Sequence, residues 1–285
     1  MNQDWRDPNA AWWAKAARAR HHIEDVSHQV SAYNPASAYE IVPEPRPDTG
    51  DDSHATDLRL KVLRKPPTEL LTTIGDALHN LRSCLDSVAF ELAMRHTGGT
   101  ITEKQQRAVQ FPLSMNRAAF DGTLSSDSLR DLFGDNERAA LRTAQPFALL
   151  EDASAAGVTF PTSDREEFNI NELRRLSRLD NLDKHRYLPL LAWHLNIAYF
   201  TEMVPPTTLH TSRHVPFSDG DLIGHLTWIG PDPDPTSKLI VDMELTLADD
   251  PGYATGLTEG LKSWHGYLTG WILPRIFAEA DRKQP

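Results

Sequence analysis

The chain has 285 residues, 40% of them apolar, which is enough apolar material for a sizeable core and predicts a globular, folded protein. A formal charge of -11 argues against a protein that coats nucleic acid, because it repels polyanions at long range while leaving room for a local basic patch. Cys84 is the only cysteine, which excludes an internal disulfide or a cysteine-rich zinc site and fits a reducing compartment; no run of eighteen apolar residues and no apolar leader in "MNQDWRDPNAAWWAKAARAR" predict a soluble, cytoplasmic protein without a membrane segment.

In chain order, Asp7 and Pro8 read as an N-cap and first helical residue, and Trp12, Ala16, Ala19, Ile23, Val26 and Val30 follow at spacings of four and three. That predicts a long helix over about 8–32. A break at "YNPAS" leads to strands near 39–42 and 57–63, in the second of which Leu58, Leu60 and Val62 alternate with Arg59 and Lys61. "PEPRPDTGDDSHA" between them reads as a loop. Pro66 and Pro67 open a second long helix that runs to about residue 96, where "TGG" stops it. From 101 to 160 the pattern is one of short helices broken by Gly and Pro. Ser163 and Glu166 form a capping box for a third long helix over about 163–186, with Leu173, Leu176 and Leu179 on its apolar side.

Beyond it the period changes to two. Leu191, Trp193, Leu195, Ile197 and Tyr199 alternate with polar or small residues, as do Leu239, Val241, Met243, Leu245 and Leu247; "DLIGHLTWIG" adds a strand and 209–215 a weaker one. A final helix over about 255–281 carries Leu261, Trp264, Leu268 and Trp271, with Pro274 expected to kink its end. The expected fold class is therefore α+β: about four long helices bundled against one antiparallel sheet drawn from 38–64 and 188–248, in a single domain spanning 1–285.

The second helix holds the first chemical constellation. Ile74, Leu78, Leu81, Leu85, Val88 and Leu92 make a complete apolar seam, yet "GDALHNLRSCLDSVAFELA" also carries His79, Asn80, Arg82, Ser83 and Asp86. So few charges imply a helix covered over most of its circumference, so its polar groups need partners. Arg82 and Asp86, four apart, can pair with each other. His79 and Asp86, separated by about 10.5 Å of helical rise, cannot touch but can border one pocket. Cys84 lies beside the seam and reads as a buried thiol.

The second constellation is "LDNLDKHRYL", with Asp183, Lys184, His185 and Arg186 where a helix hands over to a strand. Cations there complement the helix dipole, which is one complete explanation. Binding and moving protons on a phosphate ester is the other. The wider segment adds Arg174, Arg175 and Arg178 against Asp180 and Asp183, a basic stretch that a solvated helix face also explains.

These two stretches, with "FPL" and "QPF" between them, resemble a family of uncharacterised bacterial and phage proteins whose helix reads Gly, Asp, two apolar residues, His, Asn, Leu, Arg, Ser, Ala, Leu, Asp, His and which carry a later Asp-Lys-His-Arg. The resemblance covers mainly residues 70 to 190 and implies no established activity. It carries over His79, Asn80, Arg82, Asp86, Asp183, Lys184, His185 and Arg186. The chain departs from it at Ser87, where the family pattern has His. With that His, Arg82 would open the Arg, four to six residues, His spacing of the metal-independent HEPN ribonucleases; Arg178 and His185 have the spacing here, as a single match of a loose pattern.

The functional expectation has His79, Arg82, Asp86 and His185 as catalytic groups and Asn80, Asp183, Lys184 and Arg186 as substrate-binding groups. The substrate would be a phosphate-bearing small molecule or RNA, in a bacterial defence or toxin context and without a cofactor. The alternative is a non-enzymatic interaction or regulatory protein in which the same cluster is a structural polar network, with Trp5, Trp12, Trp13, Trp264 and Trp271 docking a partner or a second copy, or simply packing the terminal helices together. A metal site built from His79, Asp86, Asp183 and His185 is disfavoured, since neighbouring Arg and Lys repel a cation and no Glu-x-x-His pair is present. No phosphate-binding glycine loop, dinucleotide fingerprint or nucleophile elbow occurs.

Overall fold

The computed structural model describes residues 7, 9–47, 53–114, 116–155, 157, 172–184, 191–201, 207–211, 216–229, 236, 239–247 and 256–282. The chain is of mixed α+β class, and its strands pair antiparallel throughout. It divides into two compact units: residues 1–23, 75–185 and 261–285 form the first, and residues 24–74 and 186–260 the second.

The helices are α1 (Ala11–Tyr33), α2 (Thr68–His96), α3 (Glu103–Ala108), α4 (Arg117–Leu124), α5 (Asp135–Thr143), α6 (Pro146–Ala155), α7 (Glu172–Lys184), α8 (Leu257–Tyr267) and α9 (Leu273–Ala280). Among the described residues the expected four long helices are not clearly formed. Among the described residues only α1 and α2, at 23 and 29 residues, run long without a change of hydrogen-bond pattern. The C-terminal helix is divided by a π-turn at Leu268–Ile272, where the Leu273 N–H bonds the Leu268 carbonyl five residues back. Pro274 has no N–H to give, and after the widened turn the helix runs on through it to Ala280.

At the N-terminus the Asp7 carboxylate accepts the Asn9 N–H at 2.9 Å, a turn that precedes a helix beginning at Ala11. The expected α7 start at Ser163 and Glu166 lies outside the described residues.

In the first unit the α2 seam is buried as its spacing dictates, with Ile74 belonging to the second unit and Leu78, Leu81, Leu85, Val88 and Leu92 to the first. Ala77, Cys84, Ala89 and Ala93 are buried as well, so α2 is covered over most of its circumference. It ends where Gly98 and Gly99 take φ of 64° and 88° and the Gly99 N–H returns to the Met94 carbonyl. Trp12 packs its ring 5.0 Å from Phe277, and the Arg95 guanidinium lies 5.2 Å from that ring. Trp12, Trp264 and Trp271 thus have intramolecular partners, since the Trp264 indole N–H donates to Glu172 and the Trp271 ring stacks 5.2 Å from Tyr267.

The second unit holds β1 (Tyr39–Pro45), β2 (Ser53–Val62), β3 (Leu191–Phe200), β4 (Thr207–Thr211), β5 (Leu222–Ile229) and β6 (Leu239–Leu247). They make two sheets where one is expected: a four-stranded sheet in the order β1-β2-β5-β4 and a two-stranded β3-β6 ribbon. The early strands do find a late partner, which among the described residues is β5. A single bridge between Trp193 and Phe217 links β3 to the segment before β5. The Tyr39 hydroxyl ties β1 to the ribbon, donating to the Val241 carbonyl at 2.9 Å and accepting the Met243 N–H at 3.0 Å.

Leu58 and Leu60 point into the core while Arg59 and Lys61 pair outward with Glu44 and Glu40. The expected loop from 43 to 55 is shorter than its composition suggests, because Pro43 and Pro45 sit on an edge strand where a missing N–H costs no ladder bond. On β3 the alternation fails beyond Leu195. A register shift between Leu195 and Ile197 leaves Ile197 and Tyr199 exposed at 47% and 46%.

Candidate functional site

The polar residues of α2 separate into two groups with different partners, both within the first unit. Arg82, 8% exposed, donates through Nη2 to the Phe111 carbonyl at 2.9 Å and pairs with Asp86 at 3.1 Å, the i to i+4 pairing expected from their spacing. The same Asp86 oxygen accepts the Phe111 N–H at 2.9 Å. Both hydrogen-bonding groups of one main-chain residue are therefore held by α2. Arg82 Nη1 is buried with no hydrogen-bond partner among the described residues.

Gln145, fully buried, continues this arrangement on the next residues of the segment. Its amide nitrogen donates to the Pro112 carbonyl at 2.8 Å and the Leu141 carbonyl at 2.9 Å, and its oxygen accepts the Ser114 N–H at 3.0 Å. The "LRSCLD", "FPL" and "QPF" stretches thus meet in one network. An irregular segment that is buried must place its backbone groups somewhere, and here three side chains receive them.

His79 belongs to the other group. It is one turn before Arg82 and Ser83 on α2, with its side chain 47% exposed, and its Nδ1 lies 3.1 Å from Oδ1 of Asp180 on α7, a carboxylate that is 1% exposed. Its Nε2 lies 3.3 Å from the Ser83 hydroxyl. The tautomer follows from the partner. A carboxylate only accepts, so Nδ1 carries a hydrogen; in the neutral ring the lone pair is then at Nε2 and accepts from the Ser83 O–H. A buried carboxylate, a half-exposed imidazole and a half-buried hydroxyl are thus linked in a row, in the order of orienter, base and nucleophile in base-activated hydroxyl chemistry.

Asn80 uses its side chain locally, donating to the Asp76 carbonyl at 2.8 Å. Ser87, where the family pattern has His, donates its hydroxyl to the Ser83 carbonyl at 2.9 Å. Asp183 and Lys184 occupy the last turn of α7, and their side chains, with all of His185 and Arg186, lie outside the described residues. Of the basic stretch, Arg174 and Arg178 are exposed, whereas Arg175 is buried, pairs with Glu172 at 3.1 Å and stacks 5.3 Å from the Trp264 ring. Burial pushes the Glu172 carboxyl above its ordinary value, an effect that Arg175 partly offsets. Cys84 is fully buried, and burial, with a smaller contribution from the Asp86 charge, pushes its thiol up to about 12. It has neither the access nor the ionisation of a nucleophile.

Among the described residues no group of three or more His, Cys, Asp or Glu side chains is arranged to hold a metal ion. Nor is any helix there long and apolar enough to cross a membrane.

Sequence reasoning singled out His79 but missed its partner. Asp180 stands four residues after Leu176 and seven after Leu173, so it falls on the apolar seam of α7. An acid at a core position is the available signal that a buried partner is required. Ser83, four residues after His79, lies on the same face of α2 and was legible in the same way. Compared with family models, with curated proteins and with solved structures, the chain matches none.

Proposed function

We propose that the first unit is a metal-independent ester hydrolase in which His79 is the proton carrier, Asp180 its orienting carboxylate and Ser83 the nucleophile. One observation carries the proposal: a half-exposed imidazole sits on a buried carboxylate and faces a hydroxyl with its other nitrogen. In the reaction Ser83 Oγ forms a bond to the carbonyl carbon of the ester while its proton passes to His79 Nε2. The imidazolium so formed is stabilised by Asp180. It then gives that proton to the departing alcohol oxygen as the carbon–oxygen bond breaks. Water enters by the reverse proton path and releases the acid from Ser83. The Nε2 to Oγ separation of 3.3 Å is at the loose end of such pairs, as expected before substrate is bound.

The RNA-directed reading suggested by the HEPN-like spacing uses the same imidazole, with a ribose 2′-hydroxyl replacing Ser83 as the group deprotonated and the exposed Arg174 and Arg178 on α7 available to a phosphodiester. A structural network is the reading favoured for Arg82 and Asp86 by their engagement with the Phe111 main chain. In that reading the pair braces the unit and touches no substrate.

The test is labelling by a fluorophosphonate together with turnover of p-nitrophenyl acetate, bis(p-nitrophenyl) phosphate and a short oligoribonucleotide. Label on Ser83 and ester turnover are expected, both lost in Ser83→Ala. His79→Ala and Asp180→Asn should each lower kcat/KM by about a hundredfold or more. Turnover of the oligoribonucleotide that survives Ser83→Ala but not His79→Ala selects the RNA-directed reading. A folded wild-type chain that turns over none of the three and takes no label overturns the proposal.

A further inference from the structure

The second unit contains a half-open cavity of about 480 Å³ between the end of β2 and the start of β3. Its lining is mostly apolar. Trp193 and Phe217, joined by their main-chain bridge, are buried, while Leu71 and Leu191 are half-buried. Leu63 stands at the mouth and is 55% exposed, more than nearly every other large apolar residue described.

The charges around this cavity are not balanced. Arg64 and Lys65 follow Leu63 at the rim, and Asp219 is the acid that lines it. Asp219 Oδ1 accepts the Val62 N–H at 2.7 Å and keeps its negative charge, so the lining carries two positive charges against one negative. The Arg64 guanidinium is steadied at the rim by Ser37 Oγ at 3.2 Å, by the Tyr33 carbonyl and by the Tyr33 ring 4.8 Å away, contacts that leave its positive charge in place. Lys65 is exposed and makes no ion pair among the described residues.

An apolar chamber of this size, lined by two aromatic rings and a small number of polar groups, has the form of a small-molecule site. The excess of positive charge in its lining selects the sign of the head group. We infer that this cavity binds a small amphiphilic carboxylate, its alkyl or aryl body against Trp193, Phe217 and Leu71 and its anionic end toward Lys65 and Arg64. The site is independent of the proposed hydrolase centre. It belongs to the other unit and uses none of the same residues.

Calorimetric titration of the full chain with decanoate, decyltrimethylammonium and decanol, each below its aggregation concentration, tests the assignment. Decanoate is expected to bind at one site per chain, about tenfold or more tighter than the alcohol, and the cation not to bind. Lys65→Glu, a change at an exposed side chain that leaves the melting temperature unchanged, is expected to weaken decanoate about tenfold and to leave the alcohol unaffected. Leu71→Trp, which fills the chamber, is expected to weaken both decanoate and the alcohol. Absence of saturable decanoate binding, equal binding of the cation, or decanoate affinity unchanged in Lys65→Glu would each overturn it.

Discussion

Replacing Arg82 by Met separates bracing from catalysis and has a magnitude that the contacts set. The substitution removes two charge-assisted hydrogen bonds, to the Phe111 carbonyl at 2.9 Å and to Asp86 at 3.1 Å. Each is worth about 1.5–3 kcal/mol when well sheltered. Two terms reduce the loss. The side chain of Asp86 is 29% exposed, so its ion pair is partly screened. Met also removes the cost of burying Arg82 Nη1 without a partner while keeping most of the apolar stem. The net expectation is a loss of about 3 kcal/mol, which for a chain of this size lowers Tm by roughly 6–12 °C.

The assay is thermal and urea unfolding of wild type, Arg82→Met, Asp86→Asn and the double variant. The double variant is expected to lose less than the sum of the single changes by about 1–2 kcal/mol, because the two side chains share the Phe111 peptide. Esterase activity, measured well below the lowered Tm, is expected to stay within a few-fold of wild type. A Tm within about 2 °C of wild type, together with lost activity, would refute the reasoning and return Arg82 to the catalytic role that the sequence suggests.

Three other expectations follow from the packing and charge of single residues. Cys84, buried and with its thiol held near 12, should resist iodoacetamide under native conditions and react only at the rate of unfolding; fast native labelling contradicts its placement. A Cβ at Gly224 would lie 2.3 Å from the His210 carbonyl oxygen, so Gly224→Ala should push β4 from β5, cost about 1–3 kcal/mol and speed hydrogen exchange across Thr207–Thr211, whereas unchanged exchange would refute the close approach. Glu244 has its carboxyl raised above 4.5 by burial first and then by the charges of Asp242 and Glu259, so the folded chain holds that proton where the unfolded chain releases it. This contribution is present below the ordinary carboxylate value and is lost as pH rises through the raised one, so Glu244→Gln should melt higher than wild type at pH 7 and lose that advantage on acidification. A gap that does not change with pH would show that the groups around Glu244 do not perturb it.

The periodic parts of the chain were legible from the sequence because burial imposes its own spacing. The α2 seam from Ile74 to Leu92, the alternation of Leu58 and Leu60 with Arg59 and Lys61, and the pairing of Arg82 with Asp86 all follow from local geometry, which depends only on neighbours a few positions away. His79 was legible as a residue needing a partner for the same reason. What local geometry cannot specify is the partner itself. That Asp180 lies under His79, that Arg82 and Asp86 both hold Phe111, and that Gln145 holds the residues beyond it are contacts across 25 to 101 positions of sequence.

The strand order belongs to the same class of information. Alternation marks β2, β3, β5 and β6 as strands with a buried face, but it carries no label for the neighbour, and only the assembled unit pairs β2 with β5 and leaves β3 with β6. Sequence by itself determined which side chains had to leave water. Tertiary structure decided what each of them met there, because a buried polar group takes its role from the one atom within about 3 Å of it rather than from its own chemical type.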